Sequence, residues 1–297
     1  MFLQVRGKLV RILPLVLVLC LLSLPAWAMH GAAPTPKPAI LLVTFGTSVA
    51  GADAGYAQVE KLVRAAFPGV EVRWAYTSHI IRHKLAKQGR SLDSPALALA
   101  RMGDEGFTAV AVQSLHVIPG EEYDGLVEVA RALAGQPDCP QKIAVGDPLL
   151  VHPADLERVA DIMLQSVPKE RKKNEAVVFM GHGTPHLANA FYAAIQVEFW
   201  KKDPNAIVGT VEGSPSIDDV LSQCRAKGLR KAWLLPLMSV AGDHAHNDMA
   251  GEEPDSWASV LKRAGIVTVP VFRGAAEIEA VDTVWVDHLR AAMEQLK

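Results

Sequence analysis

From Pro38 onward the chain alternates short apolar runs with stretches in which apolar residues recur every three or four positions. The runs are Ala39–Phe45, Val70–Tyr76, Ala109–Leu115, Lys142–Val145, Ala176–Met180, Ala206–Val211, Lys231–Leu237 and Ile266–Phe272. They are rich in Val, Ile and Leu and mostly lack the polar alternation of a half-exposed strand. Continuous apolar runs with helical patterns between them predict parallel strands buried on both faces. The expected fold is therefore α/β and doubly wound.

The runs fall into two sets of four that match in order. Phe45-Gly-Thr-Ser48 after the first strand answers Met180-Gly-His-Gly-Thr184, and Thr77-Ser78 answers Glu212-Gly-Ser214. Leu115-His-Val-Ile-Pro-Gly-Glu-Glu122 answers Met238-Ser-Val-Ala-Gly-Asp-His-Ala-His246. This predicts a pseudo-duplication: an N-terminal half over 39–170 and a C-terminal half over 171–297. The charged segment Lys169–Glu175 forms the crossing, and the last helix is placed to pack back on the first half. Ligands of open parallel sheets bind outside the carboxyl ends of the strands, where all of these polar loops lie. Polar loops are common there in any such fold, so chemistry has to be argued from the residues themselves.

Ahead of the first strand the pattern changes. Arg6, Lys8 and Arg11 precede the apolar run Ile12–Leu24, and Pro25-Ala-Trp-Ala28 follows it. A basic start, a short apolar stretch and an Ala-x-Ala site predict a secretory signal over residues 1–28, and hence the periplasm of a bacterium. The run is too short to span a bilayer, so no stable membrane anchor is expected. Residues 29–38, rich in Ala and Pro, read as a flexible mature N-terminus. Cleavage removes Cys20, and the remaining Cys139 and Cys224 form no Cys-x-x-Cys motif and define no disulfide.

Composition excludes more than it assigns. Half of the 297 residues are hydrophobic and the formal net charge is -2, which suits a large folded core and rules out a disordered chain. There is no basic excess, so nucleic acid is not an expected partner. No Gly-x-Gly-x-x-Gly follows a strand, and neither a Walker A sequence nor a Gly-x-Ser-x-Gly elbow occurs, so no nucleotide cofactor or serine-hydrolase chemistry is expected. The sequence leaves a homo-oligomer open.

The residues suited to chemistry sit at the strand ends. Leu235–Met249 opens from an apolar strand into a loop with Asp243, His244, His246 and Asp248. Neutral imidazoles and carboxylates are ligands for a first-row divalent metal. His182 is flanked by Gly181 and Gly183, which permit close backbone approach and leave the ring uncrowded. Thr184-Pro185 reads as the start of the next helix, with His186 on its surface. His244 and His246, two apart in an extended loop, are expected to face one cleft, one as ligand and the other, or Asp243, as its support. Glu212 interrupts the end of an apolar strand and offers a third ligand. Glu121 and Glu122 follow Pro119-Gly120 at a helix start, where the helix dipole alone also favours acids. His116 lies at the preceding strand end. Hydroxyls and helix N-termini near Thr47, Ser48, Ser214 and Ser239 could hold an anionic substrate. His79 and His83, four apart on an amphipathic helix, could share a surface metal or haem contact, although a solvated face explains them as well.

With these residues in view, the chain resembles the class II tetrapyrrole chelatases, and most closely the sirohydrochlorin cobaltochelatases of the CbiK type. The resemblance runs from Ala39 to the end and is densest at Leu42–Ser48, Gln113–Tyr123, Gly181–Thr184 and Pro236–Ala250. It implies two flavodoxin-like halves around a central cleft that holds a sirohydrochlorin-type tetrapyrrole. It implies ATP-independent insertion of Co2+, with Fe2+ as the other candidate ion, as in cobalamin biosynthesis. His182 and His244 become the metal-binding histidines, Glu212 their carboxylate partner, and one of Glu121 and Glu122 lines the cleft opposite. Two features stand outside the family pattern: the signal segment, and histidine at 79 and 83 where Arg or Lys is expected. Export points to a second reading, a periplasmic metal- or haem-binding or transport protein on the same fold that does not turn over.

Overall fold

The apolar runs all become strands, and the two sets build two separate parallel sheets. The first contains β1 (Pro38–Thr44), β2 (Glu71–Tyr76), β3 (Ala109–Ser114) and β4 (Lys142–Gly146) in the order β2-β1-β3-β4. The second contains β5 (Ala176–Gly181), β6 (Ala206–Thr210), β7 (Lys231–Pro236) and β8 (Val267–Pro270) in the order β6-β5-β7-β8. Matching strands thus hold matching places, as the pseudo-duplication requires. The coordinates are a computed structural model that describes residues 36–297, one compact unit. The predicted signal over 1–28, and residues 29–35 of the expected flexible stretch, lie outside the described residues. The last two residues of that stretch are pinned: Pro38 is already paired in β1, and the Lys37 N–H donates to Thr108 Oγ1 at 2.8 Å.

The helices follow the strands. They are α1 (Ala54–Ala66), α2 (His79–Lys87), α3 (Pro95–Asp104), α4 (Glu121–Leu133), α5 (Pro153–Gln165), α6 (Ala190–Lys202), α7 (Ile217–Ala226), α8 (Trp257–Arg263) and α9 (Glu279–Gln295). Their starts have local causes: Ser78 and Ser94 accept from the N–H groups of Ile81 and Leu97, and Ser216 with Asp219 forms a reciprocal capping box. One expected start moves. Thr184-Pro185 does not open α6; a short 3-10 turn at Leu187–Asn189 intervenes, capped by His186, whose Nδ1 accepts from the Ala188 N–H at 3.2 Å.

Alternate residues along each central strand feed different cores. Ile40 and Leu42 of β1, with Val177 and Phe179 of β5, enter a central cluster that also contains Trp285 of α9. Leu41 and Val43 face one outer cluster, and Val178 and Met180 face another. The central cluster is what joins the halves. Phe179 stacks on Phe199 of α6 at 4.4 Å, α5 packs on α6, and α9 lies on β3, β4 and α1 of the first half. Burying one such side chain is worth about 1.5–3 kcal/mol, so the shared layer fixes both sheets in one body. Their carboxyl ends converge on a single cavity.

Candidate active site

His182 is the first residue after β5, and its position is set by backbone contact. The Glu212 N–H donates to the His182 carbonyl at 2.7 Å and the Val211 N–H to that of Gly181 at 3.1 Å, zipping the β5 and β6 loops together. Gly183 makes this approach feasible. Its φ is +81°, and a Cβ there would stand 1.9 Å from the Glu212 carbonyl oxygen. The His182 Nδ1 lies 3.0 Å from the Gly183 carbonyl, which can only accept, so Nδ1 carries the proton. Nε2 is left with its lone pair.

His244 reaches the same tautomer by another route. The segment Ala245–Met249 is a π-helical turn preceded by His244, not the extended loop expected. A helical turn brings His244 onto Asp248 four residues on: Nδ1 and Oδ2 are 2.7 Å apart. The carboxylate holds the Nδ1 proton and leaves Nε2 free, the usual orientation of a ligating histidine. The His182 and His244 rings are 4.5 Å apart between centroids and 89° between planes. The two imidazoles therefore meet edge to face, each with its Nδ1 engaged by an acceptor.

The helical turn also corrects the support expected from His246 and Asp243. Two residues along a helix are rotated by roughly 200°, so His244 and His246 face opposite ways. His246 stacks on Phe272 at 4.5 Å and lies outside the cavity wall. Asp243 stays at the cavity edge, but its carboxylate faces Lys84 Nζ at 3.8 Å rather than an imidazole. Asp248 does the orienting. Its four-residue spacing from His244 was the available signal, hidden because a polar Gly-Asp-His-Ala-His run reads as a loop.

The cavity has a volume of about 320 Å³. The second half contributes His182, Glu212, Ser239, Asp243, His244 and Tyr192, and the first half Phe45, Thr47, His116, Glu121 and Glu122. His182, His244 and Glu212 thus share one wall, but their donor atoms are not drawn within 4.8 Å of one another. Ser48 and Ser214, expected at the substrate, do not line the cavity. Ser214 is exposed one turn beyond Glu212, and its carbonyl accepts from Asn189 Nδ2 at 2.6 Å. Ser239 does line it, yet its hydroxyl donates to the Leu115 carbonyl and bolts the two halves together at the rim. His79 and His83 sit on the exposed side of α2, 6.2 Å apart, away from the cavity.

His116 differs from the other cavity histidines. Its Nδ1 is 2.8 Å from Ser114 Oγ, while its Nε2 is buried without a partner among the described residues. Burial lowers its pKa to about 4, so the ring stays neutral at physiological pH. The buried Tyr192 hydroxyl, beneath the His182 loop, is pushed up to about 12 by burial. Neither group exchanges a proton near neutrality.

Comparison with known proteins shows the family and the fold. The family model described as "Cobalt chelatase (CbiK)" covers residues 38–294. A sirohydrochlorin cobaltochelatase, CbiKC, of Nitratidesulfovibrio vulgaris is 44% identical over 263 residues, 89% of this chain and 93% of that protein. The sirohydrochlorin cobaltochelatase of Salmonella typhimurium is 36% identical over 259 residues, 86% of this chain and 97% of that protein. Among solved structures, the sirohydrochlorin chelatase SirB of Bacillus subtilis subspecies spizizenii, in complex with cobalt, superposes with a TM-score of 0.57. It covers 87% of this chain and 96% of its own at 17% identity, which speaks for the fold alone.

Proposed function

The chain belongs to the CbiK cobalt chelatase family, and we propose on that premise that it inserts Co2+ into sirohydrochlorin. The single observation that carries the reading is the His182–His244 pair, two imidazoles with fixed tautomers and free Nε2 atoms in a cleft that also holds carboxylates. The net reaction exchanges two pyrrolic protons for one divalent ion and needs no nucleotide. Its barrier lies in dehydrating the ion, bending the macrocycle and removing the protons.

His182 and His244 replace water on the incoming ion, with Glu212 on the same wall. Two imidazoles and one carboxylate leave coordination positions open for the macrocycle nitrogens, as a site that must release its ion requires. A released pyrrole proton passes to a neutral imidazole as its Nε2 gives up the ion. Phe45, exposed at the rim with its ring 6.4 Å from that of His182, offers an apolar face to the macrocycle. Thr47 and the N-terminus of α4 face its carboxylates. The donor set accepts Fe2+ as well as Co2+, so both ions belong in the assay. The test is insertion into sirohydrochlorin, followed by absorbance, in wild type and His182→Ala. Wild type should turn over beyond one equivalent while the variant falls to background. Undiminished turnover in His182→Ala would overturn the site, and a wild type that stops at one equivalent would make the protein a binder.

We also propose that the mature protein is periplasmic, a reading supported by the basic, apolar and Ala-x-Ala pattern over residues 1–28. N-terminal sequencing of the protein from a periplasmic extract should begin at Met29. An intact N-terminus in the cytosolic fraction would reject export.

A further inference from the structure

A second set of histidines and carboxylates meets where the last helix closes on the first half. Asp147 follows β4, His152 caps α5, Asp155 lies in the first turn of α5, and His288 projects from α9. None of them lines the cleft cavity. Donor atoms of His152, Asp155 and His288 all lie within 4.8 Å of one another. The cleft residues do not achieve this.

The hydrogen bonds around these residues orient them as ligands. His288 Nδ1 is 3.0 Å from the main-chain carbonyl of Asp147, which only accepts, so Nδ1 carries a proton. His288 Nε2 is 3.0 Å from Asp155 Oδ2, a second acceptor. A neutral imidazole would set lone pair against lone pair there, so the gap calls for a positive charge. A first-row ion bound at about 2.0–2.1 Å to both atoms separates adjacent ligands by roughly 3 Å, the spacing observed. His152 is fixed in the same manner, with Nε2 3.0 Å from Asp147 Oδ2, which leaves Nδ1 as its ligand nitrogen. Asp147 is itself held by the Tyr123 hydroxyl, which donates to Oδ1 at 3.1 Å. One residue therefore orients both rings from behind, as outer partners of metal-bound histidines do. The His288 and Asp155 side chains are only 10% and 13% exposed, while His152 faces solvent at 56% and offers an entry path.

We propose that His152, Asp155 and His288 form a divalent-cation site separate from the cleft, which takes a first-row ion such as Zn2+ and clips α9 to the start of α5. Water completes the coordination. The site joins parts of the chain 133 positions apart, so a bound ion resists detachment of the C-terminal helix.

The test uses the full chain carrying His182→Ala and His244→Ala, so that the cleft pair is silent and a failure of the cleft reading cannot be mistaken for a failure here. Equilibrium dialysis against Zn2+ should retain one ion per chain, and Zn2+ should raise the thermal midpoint. Adding Asp155→Asn, which keeps the shape of the buried side chain, should weaken retention at least about 10-fold and abolish the thermal shift. The exposed His152→Ala should do the same without a folding defect. Absence of a retained ion in the cleft-silent chain would overturn the proposal and leave His288 hydrogen-bonded to Asp155 alone. Retention untouched by Asp155→Asn and His152→Ala would overturn it too, and would place the ion elsewhere.

Discussion

Asp282→Asn isolates one electrostatic cost of the layer that joins the two halves. Asp282 sits in α9 with no exposed surface. Its Oδ2 accepts from Gln58 Nε2 at 2.8 Å, and its Oδ1 has no partner. Burial raises its pKa from 3.8 to about 7; the Gln58 bond opposes the shift and nearby Glu279 adds to it. Between those two values the folded state keeps a proton that the unfolded state has released. Stability therefore falls as pH rises through that window and flattens above the folded pKa. At 1.36 kcal/mol per unit, raising the pH from about 5 to above 7 costs about 2.7 kcal/mol, or roughly 5–10 °C in thermal midpoint for a body of this size. Asparagine keeps an acceptor for Gln58 and cannot ionise. Its own cost, an unsatisfied amide of about 1–3 kcal/mol, is the same at every pH. Thermal unfolding of both proteins from about pH 5 to pH 8 gives the answer by difference, since all other titrating groups cancel. The variant should gain on wild type up to about pH 7 and then hold that gain to pH 8. Parallel curves would show that Asp282 is not held protonated, and would refute the argument.

Two further substitutions probe the cleft. Asp248→Ala releases the Nδ1 proton of His244 and should weaken Co2+ binding about 10–100-fold, seen as a higher Co2+ concentration at half-maximal insertion rate; an unchanged dependence would remove Asp248 from the site. Gly183→Ala puts a methyl group into the Glu212 carbonyl at a positive φ, so it should separate the β5 and β6 loops and cost activity together with several degrees of thermal midpoint. A variant as stable and active as wild type would mean that the loops are not locked there.

The central strands were legible because burial on both faces leaves no alternation to misread, whereas β2, β4 and β8 are part-exposed and were found by their apolar runs alone; the boundaries differ by two residues at most. The cleft was legible because strand ends in a parallel sheet converge by topology. What escaped depends on local backbone that composition does not signal. The turn at 243–249 is short and polar, so its helical twist, and with it the exchange of Asp248 for Asp243 and His246, could not be read from spacing alone. The delay of α6 arises because His186 caps a 3-10 turn that a Thr-Pro start conceals. His288 meets Asp147 and Asp155 only after α9 folds back over the first half, so nothing in the sequence ties it to the local His152 pairing.

The pseudo-duplication singles out one carboxylate of the first half. The Leu115 N–H donates to the Val43 carbonyl at 2.7 Å, and the Leu237 N–H donates to that of Met180 at the same distance. Those bonds set the register between the halves. Counting forward from the two leucines, Gly120 matches Gly242, Glu121 matches Asp243, and Glu122 matches His244. Counting from the ends of β1 and β5, Phe45 matches His182, and Gly46 and Gly183 both carry positive φ. The first half thus answers the two imidazoles with an aromatic ring and a carboxylate, which makes the cleft asymmetric: the imidazoles line one wall and an apolar ring lies 6.4 Å from that of His182. By this register Glu122 meets an ion held at His244, while Glu121 takes the outer place of Asp243. Glu122→Gln should therefore raise the Co2+ concentration needed for insertion by about 10-fold or more, in line with loss of a charged contact worth about 1.5–3 kcal/mol, and Glu121→Gln should change it little. The measurement is initial rate against Co2+ for both variants at saturating sirohydrochlorin. An equal or larger effect of Glu121→Gln would break the register argument, because the two side chains differ only in which face of the first turn of α4 they occupy.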